Sequence, residues 1–334
     1  MTAGEALQHA HNLHVFVVGD VMVDAYLIGK VNRISPEAPV PVVEVTERER
    51  RLGGAANVAR NVLALGATVE LASVVGDDEG GHFLRQRCQD MSIGTAALVA
   101  SADRPTTVKN RIISDGQHLL RVDEEVTTEI AADLEDALIA QCVERFHVRK
   151  PDVIIFEDYD KGVLTPRVIE ALVAAAREAG IPTTVDPKFR QFHAYQGVTL
   201  FKPNLKELRD GLGLNGLDRH NDEEIQAATA QIRANLGAQA VLVTLSERGV
   251  WLHEESGRHE RIPAHKREIN DVSGAGDTVI ATASILLASG VPLTKCAAVA
   301  NLAGGLVCEK VGVVPVELDR LLAEVQTIES NLTR

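Results

Sequence analysis

Short apolar runs at residues 15–18, 69–75, 153–156, 183–185, 198–201 and 241–245 alternate along this chain with stretches whose apolar residues recur at helical spacing. Runs so short and so uniformly apolar suit strands buried on both faces, and parallel strands of that kind need a helical crossover between them. The expected fold is therefore α/β, a mainly parallel central sheet with helices on both faces. One crossover helix carries its own boundary signals: Thr165 as N-cap, Pro166 in the first helical position and Gly180 as the stop. With 334 residues, 45% of them hydrophobic, the chain can bury a sizeable core as one large domain or two smaller ones. No internal repeat or low-complexity linker interrupts it.

Two segments, residues 21–52 and 104–123, break the alternation and are expected to form β structure outside the main sheet. Pro39 and Pro41 ahead of Val42-Val43-Glu44-Val45 suit an edge strand. Asp115-Gly116 between residues 106–114 and 117–122 is a two-residue hairpin signal. Together they suggest a small β-lid over the larger body, the alternative being an ordinary pair of surface hairpins.

The formal net charge of −13 and pI near 5.3 argue against a nucleic-acid or anionic-membrane surface, so bound phosphates would need local donors. Cys88, Cys142, Cys296 and Cys308 form no Cys-x-x-Cys pair, which suits reduced thiols in a cytoplasmic chain. Neither a secretion signal nor a run of about 18 apolar residues is present. His9, His11 and His14 cluster near the start without partnering carboxylates and are read as part of a solvated leader, not as a metal site.

Chemistry concentrates at Asp271-Val272-Ser273-Gly274-Ala275-Gly276-Asp277, directly ahead of a helical pattern in which Val279, Ile280, Ala283, Leu286 and Leu287 share a face. Gly290 and Pro292 end that helix. The N–H groups of Gly274, Ala275 and Gly276 would have no intrahelical acceptor, so with the helix dipole they can hold an anion, and Asp277 would stand beside it. Taken alone, such a turn more often only redirects the chain.

Four other segments suit a sugar and a nucleotide. Gly19-Asp20-Val21-Met22-Val23-Asp24 follows the first strand and puts Asp20 and Asp24 at a carboxyl end, where open α/β sheets bind ligands. Gly53 and Gly54 permit close backbone approach, and the Asn57 amide offers both donor and acceptor. Asn204 and Glu207 suit a hydrated magnesium ion, although the same Asn-x-x-Glu after Pro203 is a capping box. The turn bearing Thr244, Ser246 and Gly249 would wrap a nucleotide or simply begin a hairpin into Val250-Trp251-Leu252.

In this order and across nearly the whole chain, these segments resemble the ribokinase, or PfkB, family of carbohydrate kinases. The resemblance implies one ribokinase-like domain over residues 1–334, with ATP and Mg²⁺ as cofactors and a monovalent cation as a further candidate. It makes Asp277 the catalytic base and Gly274, Ala275 and Gly276 the anion hole. Asn204 and Glu207 would organise magnesium through water, while Thr244, Ser246, Gly249 and Asn301 join them around the nucleotide. Asp20, Asp24, Gly53, Gly54 and Asn57 would hold the sugar. Two departures stand out: Val272-Ser273 replaces the commoner pair of threonines, and Ser246 stands where glycine is usual.

The stretch Arg33-Ile34-Ser35-Pro36-Glu37-Ala38-Pro39-Val40-Pro41-Val42-Val43, with Asp158-Tyr159-Asp160-Lys161-Gly162, is similar to the heptose 7-phosphate kinases within that family. These phosphorylate the anomeric O1 of D-glycero-D-manno-heptose 7-phosphate on the route to the activated heptose of bacterial lipopolysaccharide cores. No His-x-Gly-His nucleotide-transfer motif occurs, so kinase activity without adenylyl transfer is expected. A substrate that already carries a phosphate calls for fixed positive charge; of Lys109, Arg111, Arg121 and Lys161, the choice is Lys109, Arg121 and Lys161. The lid edge would pair with a second subunit in a homodimer. The alternatives are a kinase for another sugar or sugar phosphate, such as ribose or a fructose phosphate, and a non-catalytic nucleotide-binding regulator on the same fold. A dinucleotide-dependent oxidoreductase is disfavoured because the first strand leads into no Gly-x-Gly-x-x-Gly turn.

Overall fold

The computed structural model describes residues 1–332. Among these residues the strands are β1 (His14–Gly19), β2 (Val21–Ile34), β3 (Pro41–Gly54), β4 (Thr68–Gly76), β5 (Gly94–Ser101), β6 (Val108–Ser114), β7 (Gln117–Glu124), β8 (Val153–Glu157), β9 (Thr183–Asp186), β10 (Leu200–Phe201), β11 (Ala240–Thr244), β12 (Val250–Glu254) and β13 (His259–Ile262). They form two sheets. The larger has nine strands in the order β13-β12-β11-β10-β9-β8-β1-β4-β5, parallel from β5 to β11, with β12 and β13 added as antiparallel edge strands.

All six expected strands are present, within a few residues. The run at 198–201 shortens to Leu200–Phe201, while β5 lies outside the expected set. Its Gly94-Thr95-Ala96-Ala97-Leu98-Val99-Ala100-Ser101 sequence is rich in small residues of weak strand preference, and it becomes a strand by pairing with β4 at the sheet edge. Alternation along β1 shows how the sheet is covered. Val15 and Val17 join one core with Val58 and Val62 of the helix Ala55–Ala64 and Ile280 of the helix Ala275–Ala288. Phe16 and Val18 point into a second core, with Leu138 from Ala132–Val148 and Leu172 from Pro166–Glu178.

The smaller sheet has the order β3-β2-β6-β7. Its β2 follows β1 almost without a break, and β3 runs straight into the helix Ala55–Ala64, so the small sheet is rooted at the carboxyl end of the parallel sheet. The β6–β7 hairpin turns on Asp115 (φ 49°) and Gly116 (φ 77°), the two left-handed residues a tight I′ turn requires.

The N-terminus packs into the body, contrary to the expected solvated leader. A helix at Ala3–Gln8, closed by a Thr2–Glu5 capping box, packs Ala3, Ala6 and Leu7 into the first core, so this stretch is not a solvated leader. His9 and His11 are exposed, whereas His14 opens β1 in a buried position where desolvation lowers its pKa to about 4. The small side chains spaced through the first ten residues are the pattern that packs.

Candidate active site

The carboxyl ends of β8 and β9 meet the N-terminus of the helix Ala275–Ala288, and each strand delivers a carboxylate there, Glu157 and Asp186. Gly274 caps the helix with φ 78° and ψ 3°, a left-handed conformation that favours glycine, and a side chain would press on Val313 and the Asn57 amide. Gly276 leaves room of another kind: a Cβ there would lie 3.6 Å from Asp186 Oδ2 and 3.7 Å from Lys202 Nζ. The Ala275 N–H already makes a long 3.3 Å bond to the Val272 carbonyl, leaving it less available to an anion than a free first-turn N–H.

Asp277 is buried and gripped from both sides. Asn57 Nδ2 donates to its Oδ2 at 2.6 Å, and the Tyr159 hydroxyl donates to its Oδ1 at 3.0 Å. Burial raises its pKa; Asn57 opposes that rise, the negative charge of Asp186 adds to it, and Tyr159 and Lys202 pull it back. Asn57 thus serves the carboxylate directly, and Tyr159 belongs to the site as well.

Neighbouring charges form a dense buried network. Lys202 donates to Asp186 Oδ2 at 2.7 Å, and Lys188 donates to Glu207 Oε1 at 2.7 Å while lying 3.7 Å from Asp186 Oδ1. Burial alone would lower the Lys188 pKa, but Asp186, Glu207 and Glu157 raise it well above the ordinary lysine range. Glu157 is fully buried and its pKa lies well above the normal carboxylate value, first through desolvation and then through Asp186 and Asp277.

Asn204 and Glu207 do make the capping box. Asn204 Oδ1 accepts from Glu207 N at 2.8 Å, and Glu207 Oε2 accepts from Asn204 N at 2.7 Å. Lys188 donates to the other oxygen, so each Glu207 oxygen accepts one bond. Thr244 forms a parallel bridge to Asn204 at the end of β11, placing the Ser246 turn beside that helix start. Ser246 takes φ 53°, which explains why glycine suits the position, and a Cβ on Gly249 would stand 2.0 Å from the Ile262 carbonyl oxygen. Asn301 donates to the Pro263 carbonyl at 2.9 Å, bracing the segment beyond β13. Val272 is 68% exposed, so its departure from threonine removes no buried contact.

The expected sugar residues separate into two groups. Asp20 is committed to the fold: its carboxylate accepts from the backbone N–H groups of Tyr159, Lys161 and Val163 at 2.8–3.0 Å and pins the segment that presents Tyr159. Asp24 lines the small sheet, its Oδ1 2.6 Å from Arg111 and its Oδ2 so close to Gly53 that a Cβ there would overlap it at 2.4 Å. Gly54, at φ 59°, lets the chain turn from β3 into the next helix.

Lys109 is paired with Asp123 and Glu125, Lys161 with Glu125, and the 60%-exposed Arg121 with Asp123. Arg51 and Arg111, from β3 and β6, are paired with Glu49 and Asp24 and also converge on the Tyr26 ring at 4.9 and 5.3 Å. Arg51 also lies against Gly312, whose N–H donates to Asp271 at the start of the glycine turn. Sequence reasoning passed over Glu157, Asp186, Lys202 and Arg51. Glu157 and Asp186 are each the last residue of a parallel strand, the signal that would have found them.

Residues 12–319 match the model of the pfkB family of carbohydrate kinases. The chain belongs to this family. It is 45% identical over 313 residues to the D-beta-D-heptose 7-phosphate kinase of Bordetella bronchiseptica, covering 93% of this chain and 95% of that protein. It is 41% identical over 318 residues to the bifunctional protein HldE of Citrifermentans bemidjiense, covering 95% of this chain but 64% of HldE. The chain thus spans just under two thirds of the bifunctional relatives' length. Among solved structures, Escherichia coli phosphofructokinase-2 in complex with potassium superposes with a TM-score of 0.77 at 20% identity, over 96% of this chain and all of that one. Arabidopsis thaliana ribokinase complexed with ribose and ATP gives 0.71 at 19% identity, over 93% and 98%. These likenesses establish the ribokinase-like fold.

Proposed function

We propose that this chain transfers the γ-phosphoryl group of ATP to the anomeric O1 of D-glycero-β-D-manno-heptose 7-phosphate, giving the 1,7-bisphosphate. The observation that carries the reading is Asp277, buried at the glycine turn and aimed by Asn57 and Tyr159. Similarity to the Bordetella kinase over nearly both full lengths supports the substrate. The sugar O1 forms the new bond to phosphorus, the bond from phosphorus to the ADP oxygen breaks, and the O1 proton passes to Asp277. Charge then gathers on the transferring group, where the helix N-terminus and Lys202 stabilise it. Mg²⁺, when bound with the nucleotide, supplies further neutralisation of the phosphates. Thr244, Ser246, Gly249 and Asn301 are proposed to frame that nucleotide.

For the phosphate at the far end of the sugar, Arg51 and Arg111 are assigned ahead of Lys109, Arg121 and Lys161. All four side chains are ion-paired, the lysines with Asp123 and Glu125, Arg51 with Glu49 and Arg111 with Asp24, but the two guanidiniums converge from different strands on one ring beside the Gly312 segment. A planar guanidinium also matches phosphate geometry better than an ammonium.

A homodimer through the small sheet belongs to the same proposal. Its edge strand β7 exposes Leu120 and Val122 on one face, at 57% and 44%, with Val45 of β3 also exposed. A cytoplasmic location is proposed too, supported by four unpaired, buried cysteines; no described helix is long and apolar enough to cross a membrane.

Replacing Asp277 by Asn should leave binding of both substrates near normal and slow turnover by about 10²- to 10⁴-fold, the usual worth of a general base. Single-turnover kinetics at saturating ATP test this, and near-normal turnover would remove Asp277 from the chemistry. Arg51→Gln and Arg111→Gln should each raise KM for the sugar phosphate about tenfold or more, since hydrogen bonds to charged groups contribute about 1.5–3 kcal/mol. An unchanged KM would move the phosphate site elsewhere. In sedimentation velocity at micromolar concentration the chain should run as a dimer, and Leu120→Glu with Val122→Glu should run as a monomer; a monomeric wild type contradicts the assembly.

A further inference from the structure

The loop that carries Tyr159 to Asp277 needs support from outside itself. Within residues 158–163, Asp160 (φ 54°) and Gly162 (φ 82°) both take the left-handed conformation, and Asp160 does so with a Cβ. Such backbone persists where its surroundings over-determine it. On the N–H side, the Asp20 carboxylate accepts from Tyr159, Lys161 and Val163. The carbonyl side is held by a residue with no part in the chemistry above, Arg104.

Arg104 Nη2 donates to two carbonyls, that of Val126 at 3.0 Å and that of Lys161. Val126 belongs to the strap of residues 125–130 that leaves β7, and Lys161 to the loop, so one guanidinium joins the two. Gly162 closes the same seam: its carbonyl accepts from Ile130 N at 3.0 Å, and a Cβ on it would stand 2.1 Å from the Thr128 carbonyl oxygen. Arg104 is itself anchored on both sides. Its N–H donates to Ser101 Oγ at 3.2 Å, and beyond Pro105 the N–H and hydroxyl of Thr106 both donate to Asp78 at 2.7 Å.

Charge supports the same role. Asp20 is 1% exposed; burial raises its pKa, and the three N–H groups and then Arg104 oppose the rise. The other groups around Asp20 offer no cation. Burial and then the charge of Asp20 push Asp158 up to about 7, Tyr195 donates to Asp158 at 2.9 Å, and Lys161 gives its ammonium to Glu125.

We infer that Arg104 is a positioning residue for the phosphoryl transfer: it ties the 158–163 loop to the strap opposite Asp20 and so helps to set where the Tyr159 hydroxyl meets Asp277. Its kinetic consequence rests on the proposed function. Its geometric consequence does not, and is read without ATP or sugar.

The chain has three tyrosines, Tyr26, Tyr159 and Tyr195, so protein carrying ¹³C-labelled tyrosine rings can be followed by nuclear magnetic resonance with few signals, those of Tyr159 being identified by Tyr159→Phe. In the nucleotide-free protein, Arg104→Gln should displace the Tyr159 signals and leave those of Tyr26, on β2, in place. Arg104→Lys keeps the charge but loses the planar fork, so it should displace Tyr159 less. Unmoved Tyr159 signals in folded Arg104→Gln protein overturn the inference. If the glutamine variant unfolds, Arg104→Lys decides, and wild-type Tyr159 signals there overturn it. In single-turnover kinetics at saturating substrates, Arg104→Gln should slow the step about tenfold, with KM for ATP within about twofold of wild type. Combined with Tyr159→Phe, it should add less than about twofold to the loss from Tyr159→Phe alone, because both act through one contact. Losses that multiply in the double variant overturn the inference by separating Arg104 from Tyr159. A wild-type chain that phosphorylates no sugar contradicts the proposed function instead, and the ring signals still decide the role of Arg104.

Discussion

Everything in this site depends on keeping Asp277 buried yet usable. A carboxylate out of water and beside other carboxylates is driven toward its neutral form, in which it accepts no proton from a substrate hydroxyl. The fold opposes that drive with the Asn57 and Tyr159 donors and with Lys202 nearby. Those groups come from remote parts of the chain: Asn57 from the helix after the small sheet, Tyr159 from the loop after β8, Lys202 from the end of β10. Only the parallel sheet, with all its carboxyl ends at one side, brings them together.

The same constraint gives residues read as ligand contacts a supporting part in the fold. Asp20 holds three backbone N–H groups of the Tyr159 segment and so helps to set the distance from that phenol to Asp277. Asn204 and Glu207 fix a helix start, and through Lys188 they join the network around Asp186. Placement at a strand end told where these side chains would be but not which polar atoms would already be satisfied.

Legibility in the sequence followed the range of the interaction. The fold class, the Asp115-Gly116 turn, the Thr165-Pro166 helix start and the glycine turn before Asp277 are local signals, and each appears in the structure. The small sheet was also readable, because prolines and a hairpin interrupted the βα alternation. What escaped depends on long-range pairing. Tyr159 and Asp277 are 118 positions apart, and Lys202 looks like an ordinary residue after an apolar run until Asp186 is seen beside it. Lys109 and Lys161 look free in sequence, and only the fold reveals Asp123 and Glu125 neutralising them. The solvated N-terminal leader was misread because its packing residues are mostly alanines, which carry a weak hydrophobic signal.

The central claim is that this cleft phosphorylates a heptose that already bears a phosphate. The most direct test is coupled ADP release by the purified chain over D-glycero-β-D-manno-heptose 7-phosphate, fructose 1-phosphate, fructose 6-phosphate and ribose. A site built around one polar substrate should favour the heptose phosphate in kcat/KM by about a hundredfold or more. Equal or greater kcat/KM with any of the other three would contradict the account.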